Sequence, residues 1–147
     1  MTSSDQPLVF KVFTEIGIIS QLSNALLEKR LPDDLKMSQF GVLNHLMRLQ
    51  GEWSPARLAS AFQVTKGAMT NTIKRLEVRG LIKVIQDPED GRGKLVTLTD
   101  AGEEMHIQCI QNLGPEIQAL SMHFSEDEFA GLLPHLQKIR EYLDDNR

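Results

Sequence analysis

The stretch "SPARLASAFQVTKGAMTNTIKRLEVRG", residues 54 to 80, constrains the fold of this chain more than any other. Ser54 is placed to cap a helix, and Pro55 stands at the first helical position, where a missing N–H costs nothing. Trp53 precedes the cap with Leu58 five residues on, the spacing of a hydrophobic staple that fixes the angle at which the chain enters the helix. Trp53 is therefore read as structural and not as a stacking surface for a ligand. After Phe62 the residues "QVT" separate this short helix from a second, which Thr65 can cap and Gly80 can end. In the second helix Met69, Ile73 and Leu76 recur at one face and must point to a core. That register turns Lys66, Gly67, Thr70, Asn71 and Lys74 outward. A short helix, a tight turn and a second helix make helix-turn-helix geometry.

Directly behind it, "GLIKVI" supplies Leu81, Ile82, Val84 and Ile85, and "KLVTLT" alternates Leu95, Thr97 and Thr99 against Val96 and Leu98. Two short strands follow, joined by "QDPEDGRG". Pro88 fixes φ, Asp90 can bond its own backbone, and Gly91 tolerates positive φ, all of which belong to a turn. Taken alone, such a tip is a solvated loop. Behind a helix-turn-helix the same hairpin reads as a wing that presents Arg92, and Asp90 either braces the tip or orients that arginine by a charge-assisted hydrogen bond.

Charge supports an outward-facing role for this region. The 147-residue chain has a formal net charge of −4, yet residues 54 to 94 hold eight bases against four acids, while the remainder holds eight bases against sixteen acids. A basic island in an acidic protein suits a polyanion bound in one orientation. On the second helix, Gly67 and Ala68 permit close approach, Asn71 can bond a base edge, and Thr70 can meet a thymine methyl or a phosphate. Lys66, Lys74 and Arg75 suit the flanking phosphates, and the free N–H groups behind Thr65 add an anion site. Arg92 has the planar cation that a narrow A·T-rich minor groove accepts.

The flanks are helical. From Leu8 to about Arg30, Val12, Ile16, Ile19, Leu22 and Leu26 recur at helical spacing. "LPDDLKMS" breaks this helix, with Pro32 and Ser38 as punctuation, and "QFGVLNHLMRLQ" forms the next before Gly51. Beyond the hairpin, Met105, Cys109 or Ile110, Leu113, Ile117 and Leu120 mark another helix, bent at Gly114-Pro115. Ser125 and Glu128 form a capping box ahead of Phe129, Leu132, Leu133, Leu136, Ile139 and Leu143. These terminal helices carry more apolar stripe than a small central domain needs, so they are expected to pack together and against a second copy of the chain. The opening "MTSSDQPLVFKVF" is expected to be a short frayed tail and not a signal peptide. No apolar run is long enough to span a membrane.

Two signatures together, "LASAFQVTKGAMTNTIKRLEVRGLI" and "DPEDGRGKLVTLTDAG", resemble the MarR (multiple antibiotic resistance regulator) family. The second holds the D-x-R element as Asp90, Gly91 and Arg92, and the "LT..G" closing as Leu98, Thr99 and Gly102. The resemblance runs over nearly the whole chain. It implies a mainly α fold with a β-hairpin wing: an N-terminal dimerisation helix in residues 1–35, a winged helix-turn-helix in 36–100, and C-terminal dimerisation helices in 101–147. It implies a homodimer on double-stranded DNA with a pseudo-palindromic operator, acting as repressor or activator, with recognition helices in successive major grooves and wings against minor grooves, and the single cysteine fits a reducing cytoplasm. The DNA-binding residues carried over are Thr65, Lys66, Gly67, Thr70, Asn71, Lys74 and Arg75 on the helix, and Asp90 and Arg92 on the wing. Gly67 and Ala68 stand where relatives often have hydroxyl residues, and Asn71 where many have a longer basic side chain, so the operator sequence stays open. A small aromatic or anionic effector between the dimerisation helices and the winged domain is also implied.

Other chemistries fare less well. His106 and Cys109 lie three apart on one helix, a minimal metal-binding or thiolate-activating spacing for a redox- or metal-responsive regulator, but two ligands are not a site. Cys109 sits near an apolar stripe and is expected to be a packed thiol, with no cofactor and no metal. Its being the single cysteine excludes an intramolecular disulfide framework. No nucleophile elbow, phosphate loop or HExxH motif points to an enzyme. A winged helix serving protein contacts alone would leave the basic island unexplained.

Overall fold

Residues 2–147 are described by the computed structural model. The opening, expected to be a short tail, holds a turn between Thr2 and Asp5. The Thr2 hydroxyl donates to the Asp5 carboxylate at 2.7 Å, and the Asp5 N–H reaches the Thr2 carbonyl at 3.0 Å, closing a 3-10 turn over Ser3–Asp5. Two units follow, one up to Asn112 and one over Leu113–Arg147.

In the first unit, α1 (Leu8–Arg30) begins behind Pro7 and buries none of its residues within the chain. Pro32–Asp34 makes a second 3-10 turn in which Asp33 and Asp34 both take left-handed φ, 55° and 57°. Then α2 (Met37–Leu49) starts a little earlier than Ser38 suggests. Lys36 occupies the cap, and the Gln39 side chain accepts the Lys36 N–H at 3.1 Å, which is the returning half of a capping box, while the lysine side chain offers the first turn no acceptor.

The central helices follow the caps read from sequence. Ser54 accepts the Arg57 N–H at 3.2 Å to start α3 (Pro55–Phe62), and Thr65 accepts the Ala68 N–H at 3.1 Å to start α4 (Lys66–Val78). The turn between them passes through Gln63 at φ 53°, with the Val64 N–H reaching back to the Ala59 carbonyl at 3.1 Å. Gly80, at φ 73°, ends α4: its N–H bonds the Glu77 carbonyl at 2.9 Å and the Leu81 N–H bonds the Leu76 carbonyl at 3.1 Å, a Schellman closure joining two buried leucines.

Strands β1 (Ile82–Gln86) and β2 (Lys94–Leu98) pair antiparallel, with Val84 opposite Val96. Trp53 adds an unforeseen feature. It exchanges both backbone hydrogen bonds with Val96, at 3.0 and 2.8 Å, so the residue before α3 lies as a one-residue strand along β2. Its indole Nε1 donates to the Gln50 carbonyl at 2.8 Å, and its ring meets His45 edge-on. Trp53 is thus tied into the fold by the nearby Gln50 and His45 and by the distant Val96.

After the wing, α5 (Asp100–Asn112) packs on α2 and buries Cys109. Leu35, Leu43, Leu46, Leu58, Leu76, Val96 and Cys109 are almost wholly withdrawn from solvent and belong to one core. Each buried leucine contributes about 1.5–3 kcal/mol, so the core suffices to hold α3, α4 and the wing in fixed relation.

In the second unit the expected bend becomes a break. Here α5 ends at Asn112 and α6 (Gly114–His123) starts afresh with Pro115 in its first turn, because proline fits a helix start better than an interior. The last helix, α7 (Glu126–Asp145), has the expected capping box: the Glu128 N–H donates to the Ser125 hydroxyl and the Ser125 N–H to the Glu128 carboxylate, each at 3.1 Å. Phe124 and Phe129 flank this cap edge to face, a hydrophobic staple. Neither α6 nor α7 buries a residue.

Candidate nucleic-acid interface

Helix α4 is divided as its register predicts. Met69, Ile73 and Leu76 are buried, while Thr65, Lys66, Gly67, Thr70, Asn71, Lys74 and Arg75 are exposed. Burial of one face aims the other, since a helix held by three core side chains cannot rotate without withdrawing them. Nothing lies within 4 Å of where a Gly67 side chain would begin, so the start of α4 is open to close approach. Lys66, Lys74 and Arg75 engage no carboxylate among the described residues, leaving their charge for an external anion.

The wing tip is closed by its own acids. Asp90 Oδ1 accepts the Arg92 N–H at 3.1 Å, Asp87 Oδ1 accepts the Glu89 N–H at 2.9 Å, and the Gln86 side chain donates to the Gly91 carbonyl. Backbone bonds from Asp87 to Gly93 and from Gly93 to Asp90, both 2.9 Å, complete the turn. This corrects the expectation for Gly91: among the described residues only Gly51 and Gly80 are glycines at positive φ. Side-chain acceptors satisfy the tip N–H groups, so the turn needs no left-handed residue. At Gly93 a Cβ would meet Asp87 Cβ at 3.4 Å and the Asp90 carbonyl oxygen at 3.5 Å, ordinary contact distances, so the turn does not demand a glycine there for space.

For Asp90 the geometry favours the bracing alternative. Its carboxylate holds the backbone of Arg92, and the Arg92 guanidinium has no carboxylate within ion-pair distance among the described residues. Arg92 is thus an exposed, unpaired cation on a braced tip. Arg57, one of the eight bases of the island, lies over the Trp53 ring at 4.2 Å at the start of α3.

His106 and Cys109 do not come together as a reactive pair. The His106 ring stacks on Phe40 and its Nε2 meets Asn44 Oδ1 at 2.9 Å, and partial burial lowers its pKa. Cys109 is fully buried, and desolvation pushes its thiol up, against a smaller downward pull from the Arg79 charge. Both conditions oppose a thiolate. No helix among the described residues is long and apolar enough to cross a membrane.

Comparison with known proteins agrees with this arrangement. A sequence model described as the MarR family matches residues 33–93. The multiple antibiotic resistance protein MarR of Salmonella typhimurium is 36% identical over 126 residues, covering 84% of this chain and 87% of that protein. The crystal structure of wild-type apo MarR from Escherichia coli superposes with a TM-score of 0.74 at 32% identity, covering 91% of this chain and 96% of that one. A mutant of the E. coli protein complexed with operator DNA gives a TM-score of 0.70 at 31% identity, over 91% and 99% of the two chains.

Proposed function

Because the chain belongs to the MarR family of transcriptional regulators, we propose that it is a cytoplasmic homodimer that binds a pseudo-palindromic DNA operator and represses transcription until a small aromatic or anionic effector releases it. One observation carries the reading. Three buried residues of α4 aim a small, polar and basic face outward, beside a wing whose Arg92 is braced and unpaired. In this reading the start of α4 enters a major groove, where Asn71 and Thr70 meet base edges and Gly67 admits close backbone approach. Lys66, Lys74 and Arg75 neutralise phosphates, and Arg92 enters the adjacent minor groove. Asp90 acts on the turn and does not touch DNA.

A two-fold partner is supported by the apolar faces left open on the single chain. Leu8, Val9 and Leu22 of α1, and Leu132, Leu133 and Leu143 of α7, are exposed. Apolar surface of this extent is a protein contact in most soluble chains. An effector would act by binding one spacing of the two recognition helices better than the other.

Selection of duplexes from a random-sequence library by the purified protein tests the reading. The expected result is enrichment of two inverted half-sites spaced by about 10 base pairs or a multiple, with affinity that falls steeply as salt rises. Failure to enrich any sequence, or affinity indifferent to salt, would overturn it.

A further inference from the structure

The recognition helix continues beyond the residues assigned to DNA, and its second half borders an open groove of about 490 Å³. Lys36 and Gln39 line it from the start of α2, Lys74, Arg75 and Arg79 from α4, and Asp34 from the turn before α2. Four cations thus face one carboxylate, although Lys36 and Arg79 are forty-three positions apart in sequence. None of the four engages a carboxylate among the described residues. Arg79 is held in place by a hydrogen bond from its guanidinium to the Asp33 carbonyl at 2.7 Å, which occupies one of its five N–H donors. The left-handed φ of Asp33 belongs to the turn that presents this carbonyl.

We propose that this groove is a phosphate seat for the DNA backbone, with Lys36 as its outer cation and Arg79 as its fixed one. The proposal rests on the DNA-binding reading above and extends it to the start of α2. Helix length makes the case for DNA. The thirteen residues of α4 rise about 20 Å, whereas the major groove is about 12 Å wide. With the start of α4 at base edges, its last two turns stand outside the groove, at the level of a phosphate strand. The groove is continuous with the proposed interface, since Asn71, Lys74 and Arg75 border both. It is also open along its length, which suits a passing polymer better than an enclosed small molecule. Its charge excess, four cations against the one carboxylate of Asp34, matches a phosphodiester.

Lys36 is exposed, and its contribution to the α2 cap is through its backbone, so Lys36→Ala leaves the helix start intact. Binding is measured by fluorescence anisotropy over a salt series, on a duplex enriched by the wild-type protein and on a mixed-sequence duplex. Lys36→Ala is expected to weaken both to a similar degree and to reduce the log-log salt slope by about 0.9 per subunit engaged. The preference for the enriched duplex should persist. A neutral methylphosphonate walked along the enriched duplex should weaken wild type at one backbone position per half-site where Lys36→Ala loses less. An unchanged slope and an unchanged methylphosphonate profile in Lys36→Ala, with wild type still binding steeply with salt, would overturn the phosphate seat alone. Absence of wild-type binding would overturn the DNA reading itself. In a second arm, inorganic phosphate at constant ionic strength should leave the wild-type melting temperature unchanged. Stabilisation by free phosphate that Lys36→Ala abolishes would reassign the groove to a small anion.

Discussion

Gly102 packs so closely on Leu81 that a Cβ at position 102 would stand 2.1 Å from the Leu81 carbonyl oxygen and 2.6 Å from Leu98 Cδ1. The Thr99 hydroxyl accepts the Gly102 N–H at 3.0 Å and donates to the Gly80 carbonyl at 2.7 Å. The start of α5 is thereby locked onto the end of α4 and the base of the wing. Gly102→Ala should destabilise the chain by about 3 kcal/mol, at the upper end of the usual cost of overpacking. The urea midpoint checks it, and a change under about 0.5 kcal/mol would contradict the close packing.

Asp90 and Arg92 should separate cleanly. Arg92→Ala is expected to leave the unfolding midpoint unchanged and to weaken operator binding by at least about 1 kcal/mol. Asp90→Asn keeps an acceptor for the Arg92 N–H and should retain binding, whereas Asp90→Ala loses the brace and should weaken it. Loss of binding in Asp90→Asn equal to that in Asp90→Ala would mean that the charge, and not the acceptor, is what Arg92 needs.

Gln63 holds a left-handed conformation in the turn between α3 and α4. Such a conformation costs a residue with a side chain about 1–2 kcal/mol. Gln63→Gly should therefore match or exceed wild type in stability, although it loses a hydrogen bond from the Gln63 side chain to the Ser60 carbonyl. Gln63→Val should fall below wild type by about 1 kcal/mol or more, since branching at Cβ makes positive φ worse. Paired denaturation curves decide.

The caps at Ser54, Thr65 and Ser125 could be read from sequence because each is a local bargain, with donor and acceptor three residues apart. The start of α2 was harder, because Ser38 is the better capping residue by type. The helix instead starts at Met37, with Leu35, Phe40 and Leu43 buried around its first turns and the Gln39 side chain accepting the Lys36 N–H. The outward residues of α4 followed from its apolar register. Conversely, the Trp53 bridge to Val96 and the groove between Lys36 and Arg79 join segments about forty residues apart, and no periodicity reports such contacts. The tip was misread at Gly91 because Asp-Gly pairs commonly mark left-handed turns, while here two carboxylates close the loop.

His106 has a pKa lowered by partial burial. Its folded value lies below the ordinary value of about 6.5, so the unfolded chain takes up the proton first. The stability tied to neutral His106 is complete above about pH 6.5 and declines as pH falls toward the folded value. The urea midpoint should drop between about pH 7.5 and pH 5.5, and His106→Gln should flatten that drop. An equally steep drop in the variant would exclude His106 as its source.

Cys109 should resist iodoacetamide in the native chain at neutral pH and react promptly after unfolding in urea, because burial both hides the sulfur and disfavours its thiolate. Modification at the native rate of a free thiol would reopen a sensing role for this residue.

The bridge between Trp53 and Val96 also bears on how the protein stays apart from its neighbours in a crowded cell. A two-stranded ribbon ordinarily offers two rows of unpaired backbone groups on which another ribbon can grow. At Val96 one row is already taken by the chain itself, so β2 has no free donor or acceptor at its middle residue. The remaining row belongs to β1, where the exposed Lys83 sits beside Ile82 and Val84 and makes stacking of like copies repulsive. The residue that anchors the wing thus also blunts it as a seed for strand-to-strand aggregation.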